Sequence, residues 1–206
     1  MNRRTSSRRT PSSPRSLYAE RIDASILEHG HAVVAVGYGE CSIPGCQCED
    51  RAAHPWSYSV GLARLAQPEL VVLGLTLEAA HFVIDAVARR RATGDIPPPD
   101  TPFEVDGVAV KIVDVPDEWF LTDPDRMAVW LDEVERRTGA WALPPVQQIV
   151  WADAEGRFPD DPSCLPEVAR QQPVLRDDPF SVPHRSRREL RRARHRRPSR
   201  TDRLAG

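Results

Sequence analysis

Leu70 to Leu75 reads LVVLGL, six residues without one polar side chain to turn toward water. A strand of this composition is stable when both of its faces are covered, so the chain is expected to build a sheet with this segment inside it. The next segment supplies one cover. Thr76 is an N-cap with Glu78 in the positively polarised first turn, and Leu77, Ala80, Ile84, Val87 and Ala88 form an apolar stripe that stops at Arg89 to Arg91 and Gly94. This predicts the main helix.

Upstream, Tyr18, Ile22, Ile26 and Leu27 fall at helical spacing before His29-Gly30, which predicts a first helix over 18–28. His31 to Gly37 is β-branched and bounded by Gly, and Trp56 to Leu62 alternates Trp56, Tyr58, Val60 and Leu62, so three strands precede the main helix. Downstream, Phe103 to Val105 and Val108 to Val113 flank Asp106-Gly107, the dipeptide favoured in a two-residue type I′ hairpin. Asp123-Pro124-Asp125 opens another helix, with Met127, Trp130, Leu131 and Val134 as its buried stripe. Val146 to Trp151 returns to strand, Asp153 to Gly156 reads as a turn, and the Pro-rich chain from Phe158 is expected to wrap irregularly on the body. The expected fold class is α+β, a mainly antiparallel or mixed β-sheet with two principal helices.

Charge divides the chain into three parts. Residues 1–16 carry five Arg and no acid, and residues 185–206 carry ten Arg against Glu189 and Asp202, leaving 13 basic residues against 28 acidic ones between Leu17 and His184. A net charge of -2 therefore hides a body of about -15 between two basic ends. Residues 1–16 and 185–206 have almost nothing to bury and are expected to be disordered, with a single domain over 17–184. No apolar run approaches the roughly eighteen residues a membrane span needs, and no apolar leader comes after Arg3-Arg4, which leads to a cytoplasmic expectation. Arg185 to Arg203 covers every face of any helix with arginine, so its partners would be phosphates or other anionic groups, bound weakly, without sequence preference and with steep salt dependence. The simpler account is a tail that solvates the protein or folds back on its acidic body.

Two segments carry a resemblance. WSYSVGLARLAQPELVVLGL at Trp56 to Leu75 and QQIVWADAEGRFP at Gln147 to Pro159 resemble the bacterial family called domain of unknown function 4262. Its members show an aromatic-Thr/Ser-Val/Ile-Gly-Leu segment with a His-Pro-Glu-like tripeptide after it, and a Gln-bearing strand running into a Trp-Pro-Asp turn and Gly-Arg-Phe-Pro. The likeness covers roughly residues 29–175. Gln67 stands where His is common, Ala152 where Pro is common and Asp160 where Trp is frequent. The resemblance implies a fold and no established activity.

The polar residues inside these segments are the candidates for chemistry. Glu69 beside a buried-looking strand and Asp153 with Arg157 around a turn could face one another or a ligand, with Tyr58 and Trp151 lining a pocket between sheet and main helix. A charge pair that holds a turn is the plainer account, and aromatics at strand spacing are more often core. A metal is the other candidate. Cys41, Cys46 and Cys48 fall within eight residues with His54 six further on, and three thiolates with one imidazole make a closed tetrahedral zinc site that stabilises a fold. Cys164 is the rival fourth ligand, if the C-terminal wrap returns to this loop. The spacing C-x4-C-x-C-x5-H departs from paired C-x2-C knuckles, so a reduced or redox-active thiol loop stays open.

Three functions are compatible with these residues: a small binding or interaction module with a structural zinc loop, an enzyme with a pocket between Trp56–Leu62 and Trp151–Pro159, or nucleic-acid binding through the arginine tail. Neither a G-x-G-x-x-G, a P-loop, an H-E-x-x-H nor a G-x-S-x-G supports the enzyme.

Overall fold

A computed structural model describes residues 14–36, 55–121 and 144–176, with Leu131, Glu135 and Arg136 between the last two stretches. The cysteine cluster with His54 and the arginine tail lie outside the described residues.

The chain begins with helix α1 (Pro14–His29), which starts inside the segment read from composition as tail, since proline is accommodated in a first helical turn. Ile22 and Ile26 are its buried side chains, and Gly30 ends it at φ 82° with its amide donating to the Ile26 carbonyl at 2.9 Å. Strands β1 (Ala32–Val36), β2 (Trp56–Val60) and β3 (Glu69–Leu73) come next, with a 3-10 turn at Leu62–Leu65. Helix α2 (Leu77–Ala92) has Thr76 as N-cap, its hydroxyl accepting from the Ala79 amide at 3.3 Å. The hairpin β4 (Phe103–Val105) and β5 (Val108–Val115) turns on Asp106 at φ 44° and Gly107 at φ 83°, both positive as a type I′ turn requires. Short helix α3 (Glu118–Leu121), strand β6 (Val146–Trp151) and short helix α4 (Pro166–Gln171) follow. Leu131, from the stripe expected after Asp125, is helical and buried; the rest of that stripe lies outside the described residues.

The six strands form one mixed sheet in the order β1-β2-β3-β6-β5-β4, antiparallel throughout except for the parallel pair β3 and β6. The expected α+β class holds; among the described residues the long helices are α2, as expected, and α1, which at 16 residues is longer than the 18–28 segment suggested. One face, carrying Leu70, Val72, Val110, Ile112 and Ile149, packs against Ala80, Val83, Ile84 and Val87 of α2. Each of these aliphatic side chains contributes roughly 1.5–3 kcal/mol by leaving water. Leu77, expected in this stripe, is instead 45% exposed: it shares the face of Ile84 but stands in the first turn, about two turns before it, and the buried residues of α2 begin only at Ala80.

β2 is not half-buried as its alternation suggested: all five residues, Ser57 and Ser59 included, are buried. The reason is that β2 lies between β1 and β3 and its second face is also covered. That face carries Tyr58, Val71, Val113 and Gln148, which the register places side by side, and the Gln148 amide is met by the segment after α4. Among the described residues no helix is long and apolar enough to cross a membrane.

Candidate functional site

The polar residues of the first signature converge on one carboxylate. Gly61 ends β2 at φ 122°, a conformation open to glycine, and turns the chain so that the amides at the start of the 3-10 turn point back toward β3. A Cβ there would lie 3.1 Å from Ile26 Cγ1 and 3.2 Å from the Gly30 carbonyl, so α1 and the turn are close-packed at this residue. Glu69, wholly buried, fills the concavity. Its Oε1 accepts from the Gly61 amide at 2.8 Å and the Ala63 amide at 3.1 Å, and its Oε2 from the Ser59 hydroxyl at 2.5 Å. The Ser59 oxygen in turn accepts the Leu70 amide at 2.8 Å. Ser59, Gly61 and Glu69 are thus parts of one brace that ties the end of β2 to the start of β3.

The second signature repeats the arrangement with Asp153. Oδ1 accepts from the Glu155 and Arg157 amides, both at 2.9 Å, and Oδ2 from Arg157 Nε at 2.9 Å and the Leu165 amide at 3.1 Å. Gly156 at φ 78° closes the turn, its amide donating to the Asp153 carbonyl. Burial alone would raise the Asp153 carboxyl, but the three backbone amides and the Arg157 guanidinium outweigh it and hold it down at about 2. Arg157 also pairs with Glu155. Beneath the turn Cys164 is buried, and its thiol donates to the Arg157 carbonyl at 3.6 Å and the Leu165 carbonyl at 3.7 Å. Burial first, then the Asp153 charge, push this thiol up, so Cys164 is held as a neutral S–H.

Asp153 and Arg157 are brought together; the other candidates stand apart from them. Glu69 is in register with Val146 at the start of β6, whereas Asp153 lies past its end, a separation of roughly 20 Å along the strand direction. Tyr58 is 1% exposed on the sheet face away from α2, opposite Val34 and Val71, with its ring 5.5 Å from that of Trp56. The Trp151 indole donates to the Leu73 carbonyl at 2.9 Å, bridging the carboxyl ends of the parallel strands. Among the described residues no group of three His, Cys, Asp or Glu side chains is arranged to hold a metal ion. A shallow, open cleft of about 240 Å³ lies elsewhere, at the end of α2, where Arg90 already bonds Asp95 and the Glu104 carbonyl.

Several residues that position these signatures carried no signal of their own in the sequence. Lys111, the lone lysine, is buried in β5, bonds both oxygens of Asp160 at 2.8 and 2.6 Å and lies 4.9 Å from the Phe158 ring centroid. Its isolation within an apolar strand was the available clue. Asp160, which replaces a frequent Trp, is shared with Arg176 at 2.6 Å; burial pushes its carboxyl up, and Lys111 and Arg176 more than reverse this. Gln67, which replaces a common His, keeps its Oε1 buried and without a partner among the described residues.

The model of the family described as Domain of unknown function (DUF4262) matches residues 25–165, which contain both braces and the whole sheet. No curated protein and no solved structure matches the chain. Since the match spans well over half of the 206 residues, the chain belongs to the DUF4262 family.

Proposed function

We propose that this chain is a cytoplasmic interaction module, a mixed sheet that presents a cysteine-bearing loop closed by a structural zinc ion through Cys41, Cys46, Cys48 and His54. The observation that carries the reading is the saturation of the two signature carboxylates. Glu69 receives three protein donors and Asp153 four, and a carboxylate held by that many fixed donors is poorly suited to carry protons for a substrate. Such residues hold main-chain turns in place.

The strand pairing supports the loop. Val36 and Trp56 are paired neighbours, so the segment between them leaves and rejoins the sheet at one point, and a metal clip there removes the entropy of a long loop. His54 is the better fourth ligand than Cys164, because the Cys164 thiol already gives its proton to two carbonyls and would have to leave a buried site to coordinate. Elemental analysis of the purified full chain tests the proposal. One equivalent of zinc is expected, with Cys41, Cys46 and Cys48 titrating with a thiol reagent only after chelation. Absence of stoichiometric zinc together with three freely titrating thiols overturns the zinc loop.

A further inference from the structure

Two fully buried glutamines face each other across the seam between β6 and the segment after α4. Gln148, on the sheet face away from α2, donates from Nε2 to the Pro173 carbonyl at 3.0 Å and accepts the Leu175 amide on Oε1 at 2.7 Å. These are the two main-chain groups flanking Val174, which a neighbouring strand would also engage, so Gln148 reads extended backbone without regard to side chain. Gln172 returns the contact: its Oε1 accepts the Trp151 amide at 3.0 Å and its Nε2 donates to the Trp151 carbonyl at 2.5 Å. The Trp151 main chain is available because β6 outruns β3. Their ladder ends at Val72 and Ile149, and Ala152 already bonds Ala109 on the β5 side.

Side-chain recognition is added at two places. Leu175 is buried, and Arg176 bonds Asp100 at 2.7 Å and Asp160 at 2.6 Å, the latter anchored by Lys111. The receiving groups, Gln148, Trp151, Asp100 and Asp160, all lie within the family match, whereas the occupant, Gln172 to Arg176, lies beyond its end at residue 165. On the N-terminal side of the occupant, α4 buries no side chain, and its last residue, Gln171, meets the body by its main chain, packed closely against Gly74.

We propose that this face of β6 is a binding site for a short peptide segment, filled in cis by Gln172 to Arg176, which ends in a turn at Leu175-Arg176. The partner it fits is a protein segment with an aliphatic residue followed by Arg or Lys, its backbone held by Gln148, its aliphatic side chain in the place of Leu175 and its cation between Asp100 and Asp160. The cis segment is a tethered competitor that a partner must displace. This deepens the interaction-module reading by naming an occupant.

The test uses full-length protein and a fluorescent peptide of residues 168–176, VARQQPVLR. Gln172→Ala removes two hydrogen bonds of the cis segment while leaving every receiving side chain in place. The variant is expected to bind the peptide about tenfold more tightly than the unaltered chain, and a peptide carrying Glu in the place of Arg176 is expected to lose that gain. A folded Gln172→Ala chain that binds no better than the unaltered one overturns the site. Should the variant fail to fold, hydrogen exchange on the unaltered chain decides. The Trp151 and Leu175 amides are expected to exchange together and faster than that of Ile149; exchange of all three only through global unfolding shows that the segment is not displaceable and sinks the proposal. Either failure with zinc still bound removes this site and leaves the zinc-loop module standing.

Discussion

If Glu69 braces the end of β2 against the start of β3, removing its carboxylate must damage folding before anything else. Glu69→Ala withdraws the acceptor from the Gly61 amide, the Ala63 amide and the Ser59 hydroxyl. A buried donor left without a partner costs about 1–3 kcal/mol. Ala63 is exposed, so water can reach its amide, and the Ser59 hydroxyl can rotate while its oxygen keeps the Leu70 amide, which places both at the low end. Gly61 is held between Ile26 and Gly30 and has no such escape. Adding the small void left by the missing methylenes, the expected loss is roughly 3–5 kcal/mol, or a fall in melting temperature on the order of 10 °C for a domain of this size. Glu69→Gln, which keeps one oxygen for the two amides and presents an NH2 to the Ser59 oxygen, should cost only about 1 kcal/mol. Urea unfolding of the two variants and of Ser59→Ala and Ser59→Ala/Glu69→Ala completes a cycle, in which a coupling of about 1–2 kcal/mol between the two residues is expected. A Glu69→Ala chain within about 1 kcal/mol of the unaltered one, at the same denaturant slope, refutes the brace and makes Glu69 again a group available for chemistry.

Two further outcomes are expected. Asp153 is depressed in the folded state to about 2 from the usual 3.8, so its contribution to stability is fully present above about pH 4 and is lost as the pH falls toward 2; Asp160 and Asp161, also lowered, act in the same direction. The urea midpoint of Asp153→Asn should therefore fall less steeply between pH 4 and 2 than that of the unaltered chain, and parallel curves would count against the assignment. If the arginine tail binds nucleic acid, any DNA binding by the full chain should fall with salt at a slope of roughly 0.9 per phosphate contacted and be abolished by deleting residues 185–206; no binding by the full chain, or undiminished binding by the shortened one, takes the tail out of the account.

The parts of this fold that are legible in the sequence are those whose cause is local. Asp106-Gly107 names its turn because few residues accept two successive positive φ values, and Thr76 to Gly94 names its helix because cap, stripe and stop sit within one segment. The parallel pairing of β3 with β6 has no such sign. It joins Glu69–Leu73 to Val146–Trp151 across α2 and the β4-β5 hairpin, and an apolar strand looks the same beside either kind of neighbour. Alternation misleads at β2 for a related reason: Ser57 and Ser59 look like an outward face, yet Ser59 is inside because its hydroxyl links Glu69 to the Leu70 amide.

The same asymmetry governs the candidate site. Residue type marks Glu69, Asp153 and Arg157 as able to do chemistry, but whether they are free to do so depends on donors that are mostly main-chain amides, and an amide has no letter in the sequence. Gln172 draws no notice, and Gln148 is marked only as part of a Gln-bearing strand. A glutamine has no shifted charge, so its use as a reader of backbone becomes visible only when the segment it reads is in place. In this chain the charged signature residues are spent on holding two turns, and the groups that still recognise something shaped like a partner are two neutral amides and the pair Asp100 and Asp160. For this chain, function is therefore better sought by asking what occupies the face of β6 than by substituting the residues that define the signatures.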